Sequence, residues 1–349
     1  GKEDEIIRLL EAGNISFPTN SSPIKGASSL FGLRTDLQFG KLKLQMVLSQ
    51  KESASSSVSS QGGEQLTDFE IDASSYDENR HFFLGHFFRD SYDRNMSMLP
   101  NIISGVRITR IEVWVTNKRS NYDNPRNIVA FTDLGETAHI SNSIWNAVAG
   151  PAPSNNANDL YGKLNSDYAE IRDIDRVAVT LGTVLSGSSD YEKISNARKL
   201  SNSEYTLNSA LGYISLRTVL ASDEVLAVAY EYTYGGQSYQ VGEFSSDVTD
   251  TNKTLFVKLL KSNSNAPGSG TWDLMMKNIY SISNGTLSRA GFKLSVTYAS
   301  DSTGNRITYL PERELKERPL LRMLNLDRLD ENQGANPNGR FDFVEGYTV

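Results

Sequence analysis

The chain has 349 residues, no cysteine, and 35 Lys and Arg against 42 Asp and Glu, a formal charge of −7. Without cysteine there is no disulfide framework, thiolate metal site or cysteine nucleophile. The scattered, slightly acidic charge offers no electrostatic footprint for nucleic acid. Hydrophobic residues make up 38%, which over this length suffices to bury a core, and no run of about 18 apolar residues exists to form a membrane-spanning helix.

In chain order, residues 2–12 are expected as a short helix led by Glu3, Asp4 and Glu5 and closed at Gly13, with a strand over Glu5–Leu10 as the alternative. Leu33, Thr35, Leu37 and Phe39 then alternate with Arg34, Asp36 and Gln38. Beyond Gly40-Lys41, Leu42, Leu44, Met46 and Leu48 alternate with Lys43, Gln45 and Val47. That period of two on both sides of a turn predicts a hairpin. It suits a half-buried hairpin of a soluble sheet or a pair of membrane-barrel strands, each arm being about ten residues long. The Ser/Gln/Gly-rich stretch 49–65 reads as a flexible connection.

Asp77–Leu99 is expected as a helix with Asp77 as N-cap, Leu84, Phe88 and Tyr92 on its buried stripe and Pro100 as its stop. Val106–Thr116 and Asn127–Leu134 read as strands that pair with each other across Tyr122-Asp123-Asn124-Pro125. A mixed, helical stretch is expected from Asp159 to about Leu200. The clearest hairpin is Val225–Tyr234, Gly235-Gly236, Gln237–Phe244. Its two-residue Gly-Gly turn sets Tyr232 opposite Tyr239 and Tyr230 opposite Val241. Leu255–Leu260 reads as a strand, Trp272–Ile282 as a helix, Phe292–Tyr298 and Arg306–Leu310 as paired strands, and Pro319–Leu329 as a short helix.

The fold class is therefore α+β, with mostly antiparallel strands paired locally and a few packed helices. The expected organisation is an N-terminal hairpin segment at 1–60, an α+β domain at 61–200, and a second α+β region at 201–349 ending in an Asn/Asp-rich loop.

The sequence contains no G-x-S-x-G, no H-E-x-x-H, no complete Walker loop and no dinucleotide fingerprint. Its histidines are His81, His86 and His139. His81 and His86 are five apart, off one helix face, so all three read as structural. Asp90 and Asp93 share a helix face, but no opposing carboxylate can be assigned to make a glycosidase dyad. One loop crowds oxygen donors around glycines: Asp330, Asn332, Asn338 and Asp342 are candidate calcium ligands. The competing reading is an Asx-turn loop whose side chains bond their own backbone. Trp114, Trp145 and Trp272 could serve a carbohydrate-binding surface, but their positions mid-strand and at a helix start favour packing.

Several longer strings carry a resemblance. They are Ala12-Gly13-Asn14-Ile15-Ser16-Phe17-Pro18, Ser29-Leu30-Phe31-Gly32 leading into Leu37-Gln38-Phe39-Gly40, Phe82-Phe83-Leu84-Gly85-His86-Phe87-Phe88-Arg89-Asp90, Arg126-Asn127-Ile128-Val129-Ala130-Phe131, Asp223-Glu224-Val225-Leu226-Ala227-Val228-Ala229-Tyr230-Glu231-Tyr232 and Phe341-Asp342-Phe343-Val344-Glu345-Gly346-Tyr347. Over residues 11–349 the chain resembles the SprA/Sov family of Bacteroidota, the translocon of the type IX secretion system.

The resemblance implies an internal, soluble fragment of a very large outer-membrane β-barrel that exports folded cargo proteins and gliding adhesins to the cell surface. It implies a PorV-type shuttle protein, a plug protein and secreted cargo as partners. No cofactor and no catalytic residue carry over. Both chain ends read as cuts through a longer sequence. Most of the fragment is expected outside the bilayer, on the extracellular or periplasmic side. The other function classes weighed are a surface adhesin or carbohydrate-binding module and a hydrolase. The shortage of His and the absence of Cys count against the hydrolase.

Overall fold

The computed structural model describes residues 7–15, 30–39, 42–49 and 69–343, except 119–123, 149, 151, 265, 283–288, 290–291, 300–304, 312–314 and 316–317. The chain divides into two compact units, Gly1–Ser74 and Ser75–Val349. The expected connection at 49–65 lies almost wholly outside the described residues.

The first unit is an antiparallel meander of β1 (Ile7–Ile15), β2 (Leu30–Phe39) and β3 (Leu42–Ser49), in the order β1-β2-β3. The expected hairpin is β2–β3, in register with Phe39 opposite Leu42 and Leu37 opposite Leu44. The helix expected over 2–12 is not formed: Ile7–Ile15 is a strand whose Leu10 lies opposite Thr35 and Ala12 opposite Leu33. A lone helix of that length is marginal in water, whereas β2 offers a ladder of backbone partners. The pleat places Leu33, Thr35, Leu37 and Phe39 on one face with Leu42, Leu44, Met46 and Leu48. Arg34, Asp36 and Gln38 occupy the other, opposite Val47, Gln45 and Lys43.

The second unit runs β4 (His81–Phe83), α1 (His86–Asn95), β5 (Val106–Val115), β6 (Arg126–Phe131), α2 (Leu160–Ser166), a 3-10 turn (Ala169–Arg172) and α3 (Val177–Leu181). It continues with β7 (Tyr191–Lys199), β8 (Tyr205–Asn208), β9 (Tyr213–Leu216), β10 (Leu226–Tyr234), β11 (Gln237–Val241), β12 (Leu255–Lys261), β13 (Tyr298–Ala299), β14 (Arg306–Ile307) and α4 (Leu320–Met323).

Five strands close a small barrel in the order β5-β10-β12-β6-β7 and back to β5. All neighbours are antiparallel except β12 and β6. β10 pairs with β12 over Leu226–Val228 and with β11 from Tyr230 onward. β5 and β6, expected to pair with each other, do not: β5 lies between β10 and β7, and β6 between β12 and β7. In a closed sheet every strand finds two neighbours, and these come from distant sequence. Strands on both sides of residue 200 share the barrel, so the division expected there is not a boundary of the fold.

Barrel residues alternate between two clusters along each strand, except in β7, where a bulge between Ile194 and Ala197 shifts the alternation by one. Trp114, Ile128, Ala130, Ile194, Ala197, Ala227, Ala229, Val257 and Leu259 form the inner cluster. Val113, Val115, Val129, Phe131, Val228, Tyr230, Phe256 and Leu260 form the outer one, with Phe88 and Tyr92 of α1 and Phe82 of β4. All seven residues of β12 are buried because both of its faces are covered. The four alanines leave room for fully buried Trp114.

Both ends of the barrel are shut. Phe244 carries the Arg110 guanidinium 3.7 Å above its ring. Beside it Arg126 donates to the carbonyls of Ser245 (3.1 Å) and Val248 (2.9 Å). At the other end Lys261 Nζ donates to the carbonyls of Ser222 (2.8 Å) and Glu224 (2.7 Å). The barrel is a packed body rather than a tube.

Three expected helices are shortened. Asp77 is no N-cap: its N–H donates to Ile279 O at 2.8 Å, and β4 pairs Phe82 with Ile214 before α1 begins at His86. The stretch after Trp272 forms only a 3-10 turn, Trp272–Leu274, because Met275 bridges to Phe82 and Met276 N–H donates to His81 O. Of Pro319–Leu329 only Leu320–Met323 is helical. Tyr191–Lys199, inside the stretch expected as helical, is a barrel strand.

Replacing Trp114 with Ala empties the centre of the barrel, where alanine neighbours cannot collapse to fill the space. A loss of about 3–5 kcal/mol is expected in denaturant unfolding, against less than about 1.5 kcal/mol for Leu259→Met.

Candidate functional site

The most concentrated charge chemistry of the second unit lies where α1 docks on the barrel's outer face. On β12, Lys258 interrupts the outward apolar positions Phe256 and Leu260. The turn after β6 carries Gly135 at φ 77°, where a Cβ would meet Val241 at 2.7 Å, and so delivers Glu136 inward. Helix α1 supplies His86 and, one turn on, Asp90.

Lys258 Nζ lies 2.7 Å from Glu136 Oε1 and also donates to the Thr132 carbonyl, with the two side chains only 1% and 5% exposed. The same Glu136 oxygen accepts the His86 backbone N–H (3.3 Å) and lies 3.0 Å from His86 Nδ1. The His86 ring stacks on His139 at 4.6 Å, and His139 Nε2 meets Asp90 Oδ2 at 2.6 Å on the surface. A chain of ionisable groups thus runs from inside the fold to solvent.

Burial opposes the charge on Glu136, but the Lys258 ammonium and the His86 contacts outweigh it and hold the carboxyl down at about 2. It is therefore ionised throughout the neutral range and is a poor proton donor or acceptor there. What the arrangement does is anchor α1 to the barrel by a buried, paired charge.

A second anchor fixes α2 and the 3-10 turn. Arg172 grips Glu243 through both guanidinium nitrogens at 2.7 Å, and Tyr161 Oη donates to Glu243 Oε1 at 2.8 Å. Burial, followed by the Glu243 charge, pushes the Tyr161 hydroxyl up to about 12. The Arg172 guanidinium lies 3.7 Å over the Phe256 ring. Sequence reading passed over Lys258, Glu136, Arg172 and Glu243. The available signal was a lysine inside the otherwise continuous apolar run Leu255–Leu260, since such a residue needs a buried partner.

The expected site residues are placed as follows. Asp330 Oδ1 accepts the N–H groups of Asn332 (2.9 Å) and Gly334 (2.9 Å), and Asn338 Oδ1 accepts that of Arg340 (2.9 Å). Asp342 accepts the N–H groups of Arg328 and Leu329, and burial raises its carboxyl above the ordinary range. Asp327, not singled out from sequence, accepts from Asn338, Gly339 and Arg322. Asp330 and Asn338 thus form Asx turns, while Asp327 and Asp342 accept from backbone amides more than ten residues away along the chain. Among the described residues no three His, Asp or Glu side chains are grouped to hold a metal ion.

His81 Nδ1 lies 2.7 Å from Ser215 Oγ, and burial lowers its pKa. Trp114 and Trp145 are buried and Trp272 is partly packed.

Glu136→Gln strands the Lys258 ammonium and is expected to cost about 3–5 kcal/mol, while the pair Glu136→Leu with Lys258→Met recovers most of it. The carboxyl's ordinary value is 4.5, so its contribution is complete above that pH and is lost as pH falls toward about 2. Acid unfolding of Glu136→Gln should accordingly be flatter across that window. In the C-terminal loop, Asp327→Ala should cost about 1–3 kcal/mol, because the buried carboxylate's bonds to Arg322 and to the Asn338 and Gly339 N–H groups are lost. Millimolar calcium should leave the native Tm unchanged, which differential scanning calorimetry checks directly.

A comparison with curated proteins finds no match for this chain. The SprA_N family model, described as motility related/secretion protein, matches residues 2–221. With well over half of its length matched, the chain belongs to the SprA family of motility and secretion proteins.

Proposed function

We propose that this chain is a non-catalytic, structural part of an outer-membrane channel that conducts folded proteins to the cell surface in type IX secretion and gliding motility. The observation that carries the reading is the β1–β2–β3 meander. Its strands hold eight to ten residues, a length of about 26–33 Å at 3.3 Å per residue. One face of β2 and β3 is apolar throughout except Thr35, and the opposite face carries Arg34, Asp36, Gln38, Lys43 and Gln45 beside Val47. That is the pattern of a membrane-barrel wall between lipid and lumen. β1 and β3 each have one described neighbour, and open edges are not tolerated in lipid. Such a sheet therefore requires further strands from a larger barrel.

The packed second unit fits a body outside the bilayer: no described helix is long and apolar enough to cross a membrane, and its own barrel is filled. In this reading its role is shape, to cap, line or gate the path of secreted cargo alongside a PorV-type shuttle and a plug protein. The chemistry of the ion chain agrees with a scaffold, because Glu136 is locked in one charge state by Lys258.

The test uses the full-length protein in its cell. Leu44→Arg and Met46→Arg place a charge on the lipid-facing register at a cost of about 2–4 kcal/mol each near the midplane. They should reduce outer-membrane assembly and leave cargo in the periplasm, while Gln45→Arg on the opposite face should not. Equal assembly and export for all three variants would remove the wall assignment. Normal surface display of cargo after deletion of 75–343 would remove the proposed role of the second unit.

A further inference from the structure

A cleft of about 440 Å³ opens beside β11, on the edge of the small barrel. Ser154, Asn155 and Asn156 form one side, Ser238, Tyr239 and Gln240 of β11 the other, and Tyr161 also contributes to its wall. In a chain with 22% charged residues, none of these seven is charged. The nearby acids are already engaged: Glu243 by Arg172 and Tyr161, Asp247 by Gln240 and the Phe244 N–H, and Glu231 by the Ser238 hydroxyl at 3.0 Å.

The walls are fixed in place. The Tyr239 ring lies on buried Tyr232, with centroids 5.3 Å apart and planes at 24°, and its hydroxyl donates to Gln237. Gln240 Nε2 donates to Gly242 O (2.9 Å) and Asp247 (2.8 Å). Asn155 is tied to β11 by three bonds: its N–H donates to Gln240 O (2.8 Å), its Oδ1 accepts the Gly242 N–H (2.7 Å), and its Nδ2 donates to Gly242 O (3.3 Å).

The same bonds decide what fits. The two-residue turn makes Tyr234–Gln237 and Tyr232–Tyr239 the hydrogen-bonded pairs of the hairpin, so the backbones of Ser238 and Gln240 face away from β10. Asn155 closes that edge from Gln240 O onward. An added peptide strand would find only the short stretch at Ser238 before meeting Asn155, too little for edge pairing. A compact ligand with several hydroxyls can instead satisfy the Ser238 backbone, Ser154 and Asn156 together, and lay a C–H face on a tyrosine ring.

We propose that the cleft between residues 154–156, Tyr161 and β11 binds a neutral saccharide unit. The inference is independent of the channel reading, since it uses only the geometry of the second unit.

Calorimetric titration of the purified chain with maltotetraose, mannotetraose and chitotetraose tests it, with an uncharged Ser/Asn-rich octapeptide as comparison. At least one tetrasaccharide is expected to bind saturably. Tyr239→Ala and Asn156→Ala should each weaken that binding about tenfold or more. Asn156 is exposed, so its variant should keep the native Tm and circular dichroism spectrum, which separates lost binding from lost folding. No saturable binding by any of the three sugars overturns the proposal. So does sugar binding that survives both substitutions, or saturable peptide binding that no tetrasaccharide displaces.

Discussion

The second unit depends on one ladder. All nine residues of β10 pair with β5, from Leu226 opposite Val115 to Tyr234 opposite Val106, and this pairing turns an open sheet into a closed barrel. It joins segments more than a hundred residues apart, so its loop-closure entropy must be offset by what closure buries. The inner cluster around Trp114 and the outer cluster under α1 supply that burial. β10 also serves both β12 and β11 along its other edge, which makes it the strand on which barrel and hairpin meet.

Closure explains the placement of charge. A filled barrel covered on its outside leaves few places for a lysine or arginine, and those found there meet backbone carbonyls or a carboxylate. Lys261 and Arg126 cap the two ends through backbone carbonyls, and Lys258 sits under α1 against Glu136. Because desolvation makes unpaired charges so costly, these contacts fix one arrangement of loops and helices on the barrel more sharply than apolar packing alone would. Their role is positional. They hold the loops, α1 and the barrel in register.

The parts legible in the sequence are those set by neighbours along the chain. The Gly235-Gly236 turn, at φ 59° and 79°, fixed the register of Tyr232 opposite Tyr239. Alternation around Gly40-Lys41 gave β2 and β3, and within 327–342 Asp330 and Asn338 gave Asx turns. β7 was missed because Tyr191–Lys199 is buried at one end and exposed toward the other, which erases the period of two. The start of α1 was misplaced because Phe82 and Phe83 fit a helical stripe equally well, and only pairing with Ile214 and Tyr213 of β9 made them a strand.

By itself the sequence determined the α+β class, the local hairpins, the absence of cysteine chemistry and the resemblance to SprA/Sov proteins. All of these follow from composition and from contacts between residues close in the chain. The tertiary structure alone decided that β5 pairs with β10 rather than β6, that the barrel is filled, and that Lys258, Glu136 and His86 meet. The physical reason is that hydrogen-bonding edges and buried charges can be satisfied by partners anywhere in the chain, and only the closed sheet brings the chosen ones within reach.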